Sequence, residues 1–142
     1  MTTLVQLLDR KGHAIHSIEP GAAVIDAIRM MAERHVGALL VMEKEQLAGI
    51  VSERDYARKI TLLGRSSTTT AVQEIMSAPV VTAAPAQTIE DAMRLMTDHH
   101  IRHLPVIRGH SVVGVVSIGD LVKAVIDDQQ HLIDDMRQYI SG

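Results

Sequence analysis

Apolar residues recur at helical spacing in two places along the chain. Val24, Ala27, Ile28 and Met31 stand at i, i+3, i+4 and i+7, and Ile89, Ala92, Met93 and Met96 repeat the arrangement. Each set puts one apolar stripe on a helix. In the second, Thr88 followed three residues on by Asp91 predicts a capping box at the helix start. Behind each helix the pattern shifts to short β-rich runs. Ala38–Met42 and Leu47–Val51 are joined by the polar Glu43–Gln46, and Leu104–Ile107 and Val112–Val116 by Arg108–Ser111. Each pair reads as a hairpin. A second helix follows in each case, from about Glu53 to Leu62 and from about Gly119 onward, and a short strand near Ala14–Ile18 or Val80–Ala83 precedes the first helix. The unit is β-α-β-β-α.

The two units are copies. A shift of 65 positions aligns Pro20 with Pro85, Asp26 with Asp91, Gly49 with Gly114, Ser52 with Ser117 and Asp55 with Asp120, without a gap. Over residues 16–60 against 81–125 there are 12 identities in 45 positions. A segment of that length read twice implies two copies of one supersecondary unit packed together, not a long solenoid.

The predicted organisation is an α/β (α+β) fold with an N-terminal helical extension over 1–14, a first unit over 15–63, a linker over 64–78, a second unit over 79–126 and a C-terminal helix over 127–142. The linker holds two serines and three threonines between Gly64 and Thr70, then a helical turn at Ala71–Met76 that Thr70 is placed to cap. The last helix carries Leu132, Ile133, Met136 and Ile140 beyond the end of its unit, beside Asp127, Asp128, Asp134 and Asp135. Such a stripe needs another surface to cover it, which predicts a homodimer. The N-terminal Leu4, Val5, Leu7 and Leu8 are the alternative cover within the chain.

Composition narrows the chemistry. The 142 residues are 22% charged and 46% hydrophobic, as in an ordinary soluble domain. The longest uncharged apolar runs, such as Gly37–Met42 and Val112–Ile118, fall far short of the roughly 20 residues that span a bilayer. Met1–Leu8 lacks the features of a secretory signal, so a cytoplasmic location is expected. Absence of cysteine removes disulfides, thiolate zinc sites and thiol nucleophiles. Fourteen Lys and Arg against seventeen Asp and Glu, scattered along the chain, leave no phosphate-backbone footprint, and nucleic acid is not an expected partner. With only Tyr56 and Tyr139 as aromatics, a planar ligand has to be held by aliphatic side chains and backbone.

The strongest local signal is Gly49-Ile50-Val51-Ser52-Glu53-Arg54-Asp55, repeated as Gly114-Val115-Val116-Ser117-Ile118-Gly119-Asp120. A strand runs into a serine, and an aspartate follows three residues later as a helix begins. This places a hydroxyl and a carboxylate beside a helix N-terminus, whose N–H groups favour an anion. The carboxylate can accept two hydrogen bonds from a vicinal diol, so the set suits a ribose phosphate. The same spacing is also a capping box that binds nothing. Its presence at the same place in both copies favours a paired ligand site.

These motifs, with Glu74-Ile75-Met76 ahead of Val80-Val81-Thr82 and with Arg102-His103-Leu104-Pro105-Val106-Ile107, resemble the tandem cystathionine-β-synthase (CBS) domain pair, or Bateman module. The resemblance covers about His16 to Val125 and is closest to stand-alone bacterial proteins of this kind. It implies two clefts that bind AMP, ADP, ATP, NAD or S-adenosylmethionine. Asp55 and Asp120 would hold ribose hydroxyls, and Ser52 and Ser117 would reach the 5′ side or phosphate. Arg102 and His103 match the family's basic residues before a strand, whereas Gly37 and Ala38 stand at those positions in the first copy. Arg54 is a further phosphate candidate, with Gly119 opposite it in the repeat; Lys59 and Lys123 are weaker ones. Adenine would lie among Ile15, His16 and Ser17 in one copy and Val80, Val81 and Thr82 in the other, with Gly37 and Ala38 close by. The implied function is a regulatory module that passes its ligand state to an effector protein.

Other readings are weaker. His99 and His103, four apart, would share a face if their stretch were helical, but the repeat puts His103 at the start of a strand, so no metal site is expected. There is no Gly-x-Ser-x-Gly elbow, phosphate loop or unexplained acid pair, so no catalysis is expected. A structural adaptor that has lost ligand binding is the closest rival.

Overall fold

The computed structural model describes residues 1–141. In chain order the elements are α1 (Leu4–Lys11), β1 (Ser17–Ile18), α2 (Val24–Arg34), β2 (Ala38–Glu43), β3 (Gln46–Ser52), α3 (Glu53–Tyr56), α4 (Ile89–His99), β4 (His103–Arg108), β5 (Ser111–Ser117) and α5 (Ile118–Ser141). They form two compact units, one of residues 15–80 and one of residues 1–14 with 81–141.

In the unit of residues 15–80, β1 pairs parallel with β2, and β2 antiparallel with β3. The apolar stripe of α2 supplies buried Val24, Ala27 and Met31, which meet Leu39, Val41 and Val51 from the sheet. Val72 and Ile75, from the short 3-10 turn Val72–Glu74 and the residue after it, close that core. The helix expected over Glu53–Leu62 has only four α-helical residues and continues as a π-helical turn over Ala57–Thr61. Thr70 does not cap the 3-10 turn. Its carbonyl accepts from Val24 N–H at 2.9 Å, and Ala71 N–H is satisfied by the Glu74 carboxylate at 2.7 Å. That bond, together with Arg65 at 2.6 Å, holds the Glu74 carboxyl below its ordinary range.

In the other unit β4 and β5 form a hairpin of the same register, with His103 opposite Ser117 and a bulge after Val106 matching the one after Val41. The strand expected over Val80–Ala83 is reduced to a single parallel bridge between Ala83 and Val106. Pro105 explains the loss. In the first copy Leu40 N–H donates to His16 O at 3.1 Å, and Pro105, at the equivalent position, has no N–H to give. The capping box at Thr88 and Asp91 forms as expected. Leu4, Leu7 and Leu8 of α1 belong to one buried cluster with Ile89, Met96, Leu104, Val116, Leu121 and Ala124, and Leu8 lies against Gly114 of β5. Leu132, Ile133, Met136 and Ile140 stay exposed.

The repeat reaches further than the 65-residue shift reveals. Residues 2–5 bond to 85–89 (Leu4 N–H to Gln87 O, Val5 N–H to Pro85 O, Ile89 N–H to Thr2 O), just as 70–73 bond to 20–24 (Val72 N–H to Ala22 O, Gln73 N–H to Pro20 O, Val24 N–H to Thr70 O). Leu4 and Leu8 thereby correspond to Val72 and Met76. Each copy's sheet is covered by the segment that precedes the other copy in the chain.

Candidate functional site

The chemistry-bearing residues gather where β3 runs into α3 and where β5 runs into α5. Glycine at Gly49 and Gly114 is set by packing. A Cβ at Gly49 would lie 2.5 Å from Met76 Sδ, and one at Gly114 would lie 2.6 Å from Leu8 Cδ2. Three residues on, Ser52 and Ser117 cap their helices and are capped in return. Asp55 N–H donates to Ser52 Oγ at 3.3 Å while Ser52 N–H donates to Asp55 Oδ2 at 2.9 Å. The matching distances at Ser117 and Asp120 are 3.1 and 2.8 Å. Part of the helix-start N–H set expected to meet phosphate is thus taken up by the serine hydroxyls. Both carboxylates sit at a fixed, part-buried position, with side chains 13% and 24% exposed.

Around Asp55 the structure gathers Lys59, at 3.4 Å from Oδ1, and the Ser77 hydroxyl, which donates to the same oxygen at 3.4 Å. Lys59 also donates to Ile75 O at 2.9 Å. Ala38 pairs with Ser52 across β2 and β3, and Gly37 O accepts from Glu53 N–H at 3.1 Å, which brings Gly37, Ala38 and Arg54 to the same end of the sheet. Ser17 pairs with Leu40, and His16 O accepts from Leu40 N–H, so Ile15, His16 and Ser17 flank that end from the β1 side.

Around Asp120 the arrangement is the same in backbone and different in charge. Arg102 O accepts from Ile118 N–H at 2.8 Å and His103 faces Ser117, placing both basic residues beside the helix start. Thr82 leads into the bridge at Ala83, and Val81 packs on the core of this unit, whereas Val80 belongs to residues 15–80. The position of Lys59 is taken by Ala124, and the cation comes from α1 instead. Lys11 Nζ lies 2.6 Å from Asp120 Oδ2 and donates to Val115 O at 2.6 Å. Burial works against the charge on Asp120, but hydrogen bonds from Lys11 and Ser117 outweigh it and hold the carboxyl below the ordinary carboxylate range. A cavity of about 310 Å³ opens beside the pair, lined by Leu7, Arg10, Lys11, Asp120, Lys123 and Asp127 among others. Reading the motifs alone missed Lys11, Arg10 and Ser77. The spacing of α1 to its partners, 104 residues from Lys11 to Val115, leaves no local signal for them.

His99 ends α4, and His100 beyond it adopts a left-handed conformation at φ 53°, as does His35 at φ 55° after α2. His99 and His103 therefore lie on different elements. Among the described residues no three of His, Asp and Glu converge as metal ligands, and no helix is long and apolar enough to cross a membrane.

The family model for the CBS domain matches residues 12–62 and 72–127. A solved signal-transduction protein with CBS domains from Burkholderia ambifaria is 50% identical, with a TM-score of 0.87 over 90% of this chain and 96% of that one. The mitochondrial CBS domain-containing protein CBSX3 of Arabidopsis thaliana is 44% identical over 124 residues, which cover 84% of this chain and 60% of that protein. At 18% identity, where likeness is of fold alone, the CBS domain pair of protein MJ0100 gives a TM-score of 0.79 over 90% of this chain and 98% of that one; it was solved in complex with 5′-methylthioadenosine and S-adenosyl-L-methionine.

Proposed function

This chain belongs to the CBS-domain family and carries two tandem copies of the domain, and from that premise we propose that it is a sensor of adenosyl nucleotides. The family is one of regulatory modules. Each unit takes the ribose of an adenosyl ligand on its aspartate, Asp55 in one and Asp120 in the other, and the ligand state is passed to a partner protein. The observation that carries this reading is the recurrence, in both units, of a part-buried carboxylate fixed by Ser N–H beside a strand-to-helix turn. The flat face of the adenine ring then lies against aliphatic strand residues, in keeping with a chain that has two tyrosines and no Phe or Trp. The complex of the MJ0100 domain pair adds support for the ligand class. The exposed apolar residues of α5 support a homodimer as the form in which the sensor works.

The test is equilibrium binding and thermal shift with AMP, ADP, ATP, NAD and S-adenosylmethionine. A ligand at one hundred times its Kd stabilises the folded state by about 2.7 kcal/mol. The double substitution Asp55→Ala and Asp120→Ala should remove that shift while the protein stays folded, each lost cap costing about 0.5–2 kcal/mol. The adaptor reading draws on the same geometry, since both Ser-x-x-Asp pairs are complete capping boxes without a ligand. It wins if none of the five compounds moves the melting curve of the intact chain.

A further inference from the structure

The two aspartates obtain their cations in different ways. Asp55 is paired with Lys59 from its own helical stretch, one turn on, and Lys59 is tied down by Ile75 O. Asp120 has Ala124 at that place and is paired with Lys11, which reaches it from α1. Lys11 stands at the edge of a cavity that also carries Arg10 and Lys123, so three cations face two carboxylates, Asp120 and Asp127. Lys11 also donates to Val115 O at 2.6 Å, and 40% of its side chain is exposed at that cavity's edge, about as much as for Lys59.

We propose that Lys11 is a specificity residue that makes the Asp120 site select phosphorylated adenosyl ligands over uncharged ones, by guarding the carboxylate until a phosphate draws its ammonium into the cavity beside Arg10 and Lys123. The proposal rests on the ligand reading above and deepens it for one of the two sites. An uncharged nucleoside has to compete with Lys11 for Asp120 and offers the displaced ammonium nothing in return. A nucleotide supplies oxygens that take it up, and charge-assisted hydrogen bonds to phosphate are among the stronger ones. S-adenosylmethionine carries a sulfonium and an ammonium against a single carboxylate, so it brings a net positive charge to three cations. Lys59 and Lys11 are about equally exposed and each also donates to a carbonyl, but Lys59 belongs to the same helical stretch as Asp55, whereas Lys11 comes from α1 and borders the cavity with Arg10 and Lys123, so the exchange is assigned to the Asp120 site.

The experiment uses the full chain with Asp55→Ala, so that only the Asp120 site is read, and measures adenosine, AMP, ADP and S-adenosylmethionine by calorimetry with and without Lys11→Met. Loss of a part-exposed ion pair corresponds to about two- to fivefold tighter adenosine binding. Loss of a charged phosphate partner corresponds to about tenfold or more weaker ADP binding. The ADP-to-adenosine preference therefore falls steeply in Lys11→Met, and Lys11→Arg keeps it. A preference that does not change in Lys11→Met overturns the proposal while leaving the ligand reading intact. If neither the intact chain nor any variant binds an adenosyl compound, the ligand reading fails and this proposal with it. Amide-exchange protection of α1 in Lys11→Met separates loss of the ammonium from loss of the helix: equal changes for adenosine and ADP together with an unprotected α1 also overturn it.

Discussion

Gly114→Ala is expected to destabilise the unit that holds Asp120 by forcing apart two elements that meet at contact distance. The new Cβ would lie 2.6 and 2.8 Å from the two methyl carbons of Leu8 and 3.2 Å from its Cγ, against 3.4–4 Å for ordinary contact. Leu8 must therefore retreat by nearly an ångström. It has nowhere to go, since it is fully buried together with Leu4, and Leu7 is nearly so, in one cluster. Overpacking of this kind costs about 1–3 kcal/mol. For a chain of this size each kcal/mol lowers Tm by about 2–4 °C. Leu8→Ala alone should cost about 3–5 kcal/mol as a buried leucine truncation. In the double variant the methyl added at position 114 enters the space Leu8 leaves, so the combined cost falls short of the sum by about 1–3 kcal/mol. Gly49→Ala is the internal control. Its nearest obstacle at 2.5 Å is the sulfur of Met76, the adaptable part of a flexible side chain, with Ser77 O at 3.1 Å, and it should cost less than Gly114→Ala. Urea unfolding of the four variants measures all of these quantities. Strict additivity of Gly114→Ala and Leu8→Ala, or a Gly114→Ala protein within about 0.5 kcal/mol of the parent, would refute the reasoning.

Three further outcomes follow from charges and from α5. The carboxyl of Asp120 is held below its ordinary value, so its contribution is present above about pH 4 and is lost as the pH falls through the lowered value; Asp120→Asn should flatten that part of an acid unfolding curve. Val113 O and Asp9, at 2.8 and 2.9 Å from the two ring nitrogens, raise the pKa of His13, so the tie between α1 and β5 is strongest below about pH 6.5 and weakens as the pH rises through the raised value; amide exchange of α1 against pH should show this and His13→Ala should abolish it. Truncation after Asp128 keeps the bonds from the Thr2 hydroxyl to that residue but removes Leu132, Ile133, Met136 and Ile140, and light scattering should find a dimer for the full chain and a monomer for the shortened one.

What the amino-acid pattern disclosed depended on distance along the chain. The stripes of α2 and α4, both hairpins and the Thr88 box rest on residues within a few positions of one another, and local spacing fixes them. The extension of the repeat into residues 2–8 was not legible, because its shift is 68 residues where the rest of the repeat has 65, and Leu4 and Leu8 match Val72 and Met76 in packing without matching in identity. Pro105 was in plain view, yet its effect on Val80–Ala83 needed the pairing of β1 with β2 in the other copy to become visible. At the candidate site the serines and aspartates were readable from spacing. Their cations were only half so: Lys59 lies one turn from Asp55, while Lys11 is brought to Asp120 by the packing of Leu4, Leu7 and Leu8.

The exchange of covering segments sets an order on biosynthesis. Every residue of the core around Val24, Val41 and Val72 lies within 15–80, so that unit has all its partners once the chain has emerged that far. The first helix does not. Leu4, Leu7 and Leu8 wait for Leu104, Val116 and Leu121, and at about 5–20 residues per second the delay for roughly a hundred residues is on the order of 5–20 s. During that interval α1, made before the rest of its core, has no partner to pack on, and a helix of eight residues is too short to persist alone. The Asp120 end is thus finished only when the two extremities of its unit meet. The Asp55 end needs no such closure, so a nascent chain from which residues 15–80 have emerged would already own one of the two candidate sites.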